Sequence, residues 1–118
     1  MKATDIITRC DNLKPNVQSY AQKRKWLDKI ESDIRKQAAR YSSHSADNSF
    51  EHCEDPELFL DSNHSDIYVY YLISMIDLAN QEYALYNNSS AFFNAALTEW
   101  QKEYRRTHCP ECSVSIKI

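Results

Sequence analysis

Residues 66–77, Asp66-Ile67-Tyr68-Val69-Tyr70-Tyr71-Leu72-Ile73-Ser74-Met75-Ile76-Asp77, decide the fold. Ile67, Tyr71, Leu72, Met75, Ile76, Ala79 and Tyr83 recur at helical spacing, which predicts one long helix from about Asp66 to Tyr86 with Ser65 or Asn63 as its cap. Tyr68 and Tyr70 add aromatic surface on its flanks. Asn87-Asn88-Ser89-Ser90 then interrupts the pattern, with side chains able to cap both an outgoing and an incoming helix. A following helix from about Ser90 to Thr107 would bury Phe93, Ala96, Leu97, Trp100 and Tyr104. Two long stripes joined by so short a break predict an antiparallel helical hairpin.

Upstream, Thr4-Asp5 opens a short helix carrying Ile6, Ile7, Cys10 and Leu13, ended at Lys14-Pro15 because proline disfavours helix in the residue before it. Ser19 and Gln22 fit a capping box. The amphipathic helix behind them has Trp26, Leu27, Ile30, Ile34, Ala38 and Tyr41 as its apolar stripe, with Lys23, Lys25, Lys29 and Lys36 largely off it. From Ser42 to Glu57 the chain is polar, acidic and without period, a long loop. Leu58-Phe59-Leu60 is an apolar plug that either tucks into the core or runs extended.

Composition agrees. Glycine is absent, which excludes phosphate loops and dinucleotide folds in their usual form and disfavours an all-β chain. The expected fold is all-α: a single domain of 118 residues in one small helical bundle. Its parts are N-terminal helices over 1–41, a loop over 42–64, the hairpin over 65–107 and an extended C-terminal arm over 108–118. No stretch nears the ~20 apolar residues of a membrane span, and no signal peptide is visible. The four cysteines are expected to stay reduced in a cytosol.

Charge is unevenly spread. Residues 1–41 carry ten bases and five acids, whereas residues 42–86 carry nine acids and no Lys or Arg. The overall charge of −3 disfavours duplex-DNA binding, which draws most of its affinity from neutralised phosphates. The split suits self-association instead, with the basic face around Lys23, Lys25 and Lys29 meeting a neighbour's acidic face. Tyr68 and Tyr70 join this expected subunit interface, since tyrosine is favoured where one end is buried and the other wet.

Chemistry-bearing motifs are sparse. Cys109-Pro110-Glu111-Cys112 has half the spacing of a structural zinc site, and His52-Cys53 is the pair best suited to complete it if the loop folds over the C-terminus. That defines the alternative reading, a small zinc-binding regulatory or protein-interaction module. Asp77 and Glu82 are five residues apart and share no helical face, and His64 beside Asp61 and Asp66 suits a capping role. No catalytic constellation emerges, so the expectation is a protein that is no enzyme and takes no cofactor.

One ordered set of residues is more specific. Tyr68-Val69-Tyr70-Tyr71-Leu72 with Met75-Ile76-Asp77, then Glu82-Tyr83, Tyr86-Asn87-Asn88-Ser89, Phe93-Asn94-Ala95-Ala96 and Tyr104-Arg105-Arg106-Thr107-His108 resembles the small head–tail connector (adaptor or neck) proteins of tailed bacteriophages and prophages. The resemblance covers about residues 58–110. It implies a structural virion protein of the head–tail neck, assembled in the host cytoplasm. Such subunits form a ring, commonly of twelve, that docks under the portal protein and extends the DNA channel. Double-stranded DNA passes through without sequence readout, and the ring supports a further neck or tail-completion protein. Carried onto this chain, the resemblance gives Arg105, Arg106, Thr107 and His108 to portal contact, and Tyr86, Asn87, Asn88 and Ser89 to the hairpin turn. The acidic loop and the Cys-Pro-Glu-Cys tail depart from that family's pattern.

Overall fold

The computed structural model describes residues 2–41, 57–61 and 63–108. Among them the chain forms four helices: α1 (Ala3–Leu13), α2 (Tyr20–Tyr41), α3 (Asp66–Ala79) and α4 (Tyr83–His108). The fold is an all-α bundle, as the periodicity predicts. An isolated antiparallel bridge between Lys2 and Glu57 is its one β-like feature among the described residues. The acidic loop over 42–56 and the arm over 109–118 lie outside them.

The first two helices start for local reasons that the third does not share. The Asp5 carboxylate accepts the Lys2 backbone N–H at 3.3 Å and sits in the first turn of α1, where a negative charge offsets the helix dipole. Asn16 builds the connection from α1 to α2. Its amide donates to Asp11 and to the Lys14 carbonyl, while its side-chain oxygen accepts the Gln18 N–H at 3.1 Å. Ser19 caps α2 by accepting the Gln22 N–H at 3.1 Å. Ser65 precedes α3 but its hydroxyl makes no cap; it accepts the Arg9 guanidinium at 2.9 Å instead, beside the Arg9–Asp66 ion pair at 2.7 Å.

The core gathers one face from every helix. Ile6, Ile7 and Cys10 of α1, Leu27, Ile30, Ile34 and Ala38 of α2, and Ile67, Leu72 and Ile76 of α3 are all buried together. Leu13, expected on the α1 stripe, is instead exposed, because the helix ends there and the chain turns away through Pro15. The plug over 58–60 tucks in: Leu58 and Leu60 are buried, and the Phe59 ring lies edge-on to Trp100 and tilted against Tyr104 of α4.

The hairpin is present, but its turn is not where the sequence suggests. α3 stops at Ala79, seven residues before Tyr86, and Tyr86-Asn87-Asn88-Ser89 lies inside α4. The turn is Asn80-Gln81-Glu82. The Gln81 N–H returns to the Leu78 carbonyl and the Glu82 N–H to the Asp77 carbonyl, at 3.0 and 2.9 Å. This is the paired bonding of a Schellman motif, whose closing residue takes a left-handed backbone and is usually glycine. With no glycine in the chain, Gln81 occupies that position at φ 61°. The predicted turn residues stay helical because their hydroxyls find partners within the helical geometry. Ser89 donates to the Asp77 carboxylate at 2.6 Å, and Ser90 bonds back to the Asn87 carbonyl at 3.2 Å. The side-by-side pairs Tyr70–Phe92 and Tyr71–Phe93 bridge the two antiparallel helices.

Candidate interaction surface

Two buried carboxylates organise the bundle. Glu31 sits on the core face of α2, four residues after Leu27 and three before Ile34, and is fully buried. One oxygen accepts the Phe59 backbone N–H at 2.8 Å and the Arg35 side chain at 2.9 Å; the other accepts the Tyr68 hydroxyl at 2.5 Å. The Tyr68 oxygen in turn accepts the Leu60 N–H at 3.0 Å. Burial, and then the adjacent Glu31 charge, push the Tyr68 phenol far above its ordinary pKa, so it is a fixed donor. Glu31 and Tyr68 thus satisfy the backbone of the plug and clamp it between α2 and α3. All of this chemistry is consumed internally.

The second carboxylate, Asp77, is buried at the end of α3. It takes the Lys14 ammonium on one oxygen and the Ser89 hydroxyl on the other, tying together α1, α3 and α4. Glu82 stands 3.6 Å from the same ammonium. The Asp77 hydrogen bond holds the Lys14 pKa above its usual value, against a smaller opposing effect of burial. Lys23 makes a comparable bond to Asp11 at 2.6 Å. A serine, a carboxylate and a lysine are the parts of a hydrolytic site. Here both carboxylate oxygens are engaged, one by Lys14 and one by Ser89, and the group holds helices together.

These interactions correct two of the expected interface residues. Tyr68 is wholly inside the subunit, and Lys23 is buried against Asp11, because position 23 lies on the same face as Leu27 and Ile30. Neither can meet a neighbour. Lys25 and Lys29 are exposed on α2 as expected, and Tyr70 is half-buried, stacked on Phe92 with centroids 5.7 Å apart. Tyr86, Asn87, Asn88 and Ser89 do not form the hairpin turn; they lie within the first two turns of α4.

Of the residues assigned to portal contact, Arg105 and Arg106 project from the last turns of α4 and are exposed. Thr107 and His108 continue that helix, but their side chains lie outside the described residues, as do His52, Cys53, Cys109 and Cys112. Among the described residues no cluster of His, Cys, Asp or Glu is placed to hold a metal ion. Cys10 is buried in the core, where desolvation, and then the neighbouring Asp11 charge, raise its thiol pKa to about 11. His64 faces Glu103 of α4 at 3.6 Å. No helix among the described residues is long and apolar enough to cross a membrane.

What the bundle leaves open is apolar surface near the hairpin turn. Tyr83 is 59% exposed, with Leu78 and Leu85 also open; Phe92, 61% exposed, lies two turns further along α4 beside Tyr70. The links from Lys14 to Asp77 and Glu82 bring the α1–α2 connection to the same end, where Leu13, Tyr20 and Val17, the last 92% exposed, are also uncovered. The basic positions Lys25 and Lys29 lie further along α2. One end of the bundle is therefore apolar and tyrosine-rich beside a positively charged helix face, a composition suited to protein contact. Comparison with protein-family models, with curated proteins and with solved structures finds no match to this chain.

Proposed function

We propose that the protein is a ring-forming head–tail connector subunit of a tailed bacteriophage or prophage. It docks under a portal, extends the DNA channel and supports the next neck or tail protein. The reading rests on the ordered resemblance within residues 58–110. The observation that carries it further is exposed apolar surface on a subunit whose core is already complete: Leu78, Tyr83 and Leu85 beside the hairpin turn, and Phe92 two helical turns further along α4. Contact between subunits joins this surface and the exposed Lys25 and Lys29 face to an acidic neighbouring surface, a head-to-tail arrangement that closes by rotation. The turn assigned to Tyr86–Ser89 contributes nothing to the reading, since those residues are helical. Arg105 and Arg106, exposed at the far end of α4, are the portal-facing residues in this scheme.

Mass in solution, measured with and without a tailed-phage portal ring, tests the proposal. The expected result is a portal-bound ring, lost when Arg105 and Arg106 are both changed to Glu. A protein that stays monomeric and never joins portal-bearing particles would exclude this function.

A further inference from the structure

The hairpin turn is short, strained and out of keeping with the apolar pattern that crosses it. Starting at Leu72, apolar positions alternate at spacings of four and three residues through Ile76, Ala79, Tyr83 and Tyr86. With Ser90 its one polar member, the alternation continues in step through Phe93, Leu97 and Trp100 to Tyr104. A sustained repeat of that kind is the seam of one uninterrupted helix. A genuine loop would be free to break the phase, yet here no residue is gained or lost across Asn80-Gln81-Glu82. The seam is buried at both ends, at Leu72, Ile76, Trp100 and Tyr104, and exposed only beside the turn, at Ala79 and Tyr83. The turn contains neither glycine nor proline, and its left-handed residue is Gln81, a good helix former in a conformation that opposes it.

We propose that α3 and α4 also exist as one continuous helix from Asp66 to His108, about 65 Å long at 1.5 Å per residue, and that two copies of the chain then exchange their α4 helices. Straightening Gln81 removes the left-handed residue and adds helical hydrogen bonds at the turn. The interactions that opening breaks form again between copies: Ser89 on the other copy's Asp77, Phe93 on its Tyr71, and Trp100 on its Phe59. Exchange of an identical element through a short, strained hinge costs little, because closed and exchanged forms share the same interface. The occupant of the face vacated by α4 is thus a second copy's α4. This property belongs to the hairpin and does not depend on the connector reading.

Full-length protein carrying Tyr71→Cys and Phe93→Cys, with Cys53, Cys109 and Cys112 each replaced by Ser, tests the exchange. It is unfolded in urea, refolded at high and at low concentration, oxidised, and read by light scattering and a non-reducing gel. The expected result is a dimer from the concentrated sample whose new disulfide joins two chains, and a monomer with an internal disulfide from the dilute one. Added to this background, Gln81→Ala retains the strained turn and keeps the dimer. Gln81→Gly relaxes the turn and weakens the continuous helix at both hinges, lowering the dimer's association constant at least about tenfold. Dimers linked only within chains, monomer at every concentration, or equal association of the Gly and Ala variants would each overturn the proposal. Tyr71 and Phe93 are replaced here, so Gln81→Ala and Gln81→Gly are also compared by light scattering in the otherwise native chain, where the same ordering is expected and its absence is equally decisive.

Discussion

Glu31 illustrates how little a single residue's type says about its role. A carboxylate with no solvent around it is stable only while Phe59, Arg35 and Tyr68 all donate to it. Glu31→Ala strands the Tyr68 hydroxyl and the Phe59 N–H, and should cost about 3–5 kcal/mol in urea unfolding. Tyr68→Phe removes one donor and one acceptor and should cost about 1–3 kcal/mol. If both substitutions fell within about 0.5 kcal/mol of the native protein, the clamp on the plug would not hold. Cys10 gives a pH signature. Its folded pKa of about 11 lies above the ordinary value of 9.0, so the folded state holds the proton more tightly. The stability tied to it is complete below pH 9 and is lost as pH rises from 9 through 11, by about 2–3 kcal/mol. Cys10→Ser or Cys10→Ala should flatten this alkaline slope in denaturant titrations at successive pH values.

At the scale of the helix, the placement of Asn87 and Asn88 is directly measurable. Both are exposed within α4, where asparagine is a poorer helix former than alanine by roughly 0.6 kcal/mol. Changing both to Ala should therefore raise the melting temperature, corresponding to about 1 kcal/mol; a turn at this position would give the opposite sign. Ser19→Ala should cost about 1 kcal/mol by removing the acceptor for Gln22. These elements also show what the sequence could carry. The existence of four helices, the Ser19 cap and the hairpin were legible because each rests on local periodicity or one side chain. The end of α3 was not, because the usual mark of a Schellman ending is glycine and the chain has none. Asn87-Asn88-Ser89-Ser90 supplied a misleading mark, since its turn chemistry is answered by Asp77, which is distant in sequence. Glu31 and Lys23 had a usable signal: both fall on the Leu27–Ile30–Ile34 face, and a charge on a core stripe implies a buried partner. Which partner it would be depended on packing that no local pattern specifies.

At the scale of the whole molecule, the exposed bases of α2 and the exposed apolar side chains of the hairpin each bear on the proposed assembly. If Lys25 and Lys29 meet an acidic neighbour, assembly should weaken as salt rises, because exposed pairs are screened within about 8 Å at physiological ionic strength. Lys25→Glu with Lys29→Glu should lower ring formation on the portal while leaving the monomer's melting temperature nearly unchanged. Tyr83→Ser and Phe92→Ser test the apolar surface independently. Both side chains are mostly exposed in the subunit, so their loss should spare folding and reduce association.

The Trp100 cluster has a kinetic consequence. Trp100 is buried between Phe59 and Tyr104, so α4 cannot leave without first wetting an indole that every folded form keeps dry. The waiting time for that event governs how fast the chain redistributes between arrangements, and stabilising the final states does nothing to shorten it. The only other indole is Trp26, half-buried on α2. In a Trp26→Phe background, the emission of Trp100 becomes a clock for the release of α4, running on the time axis of unfolding and separating how often the helix departs from where it settles.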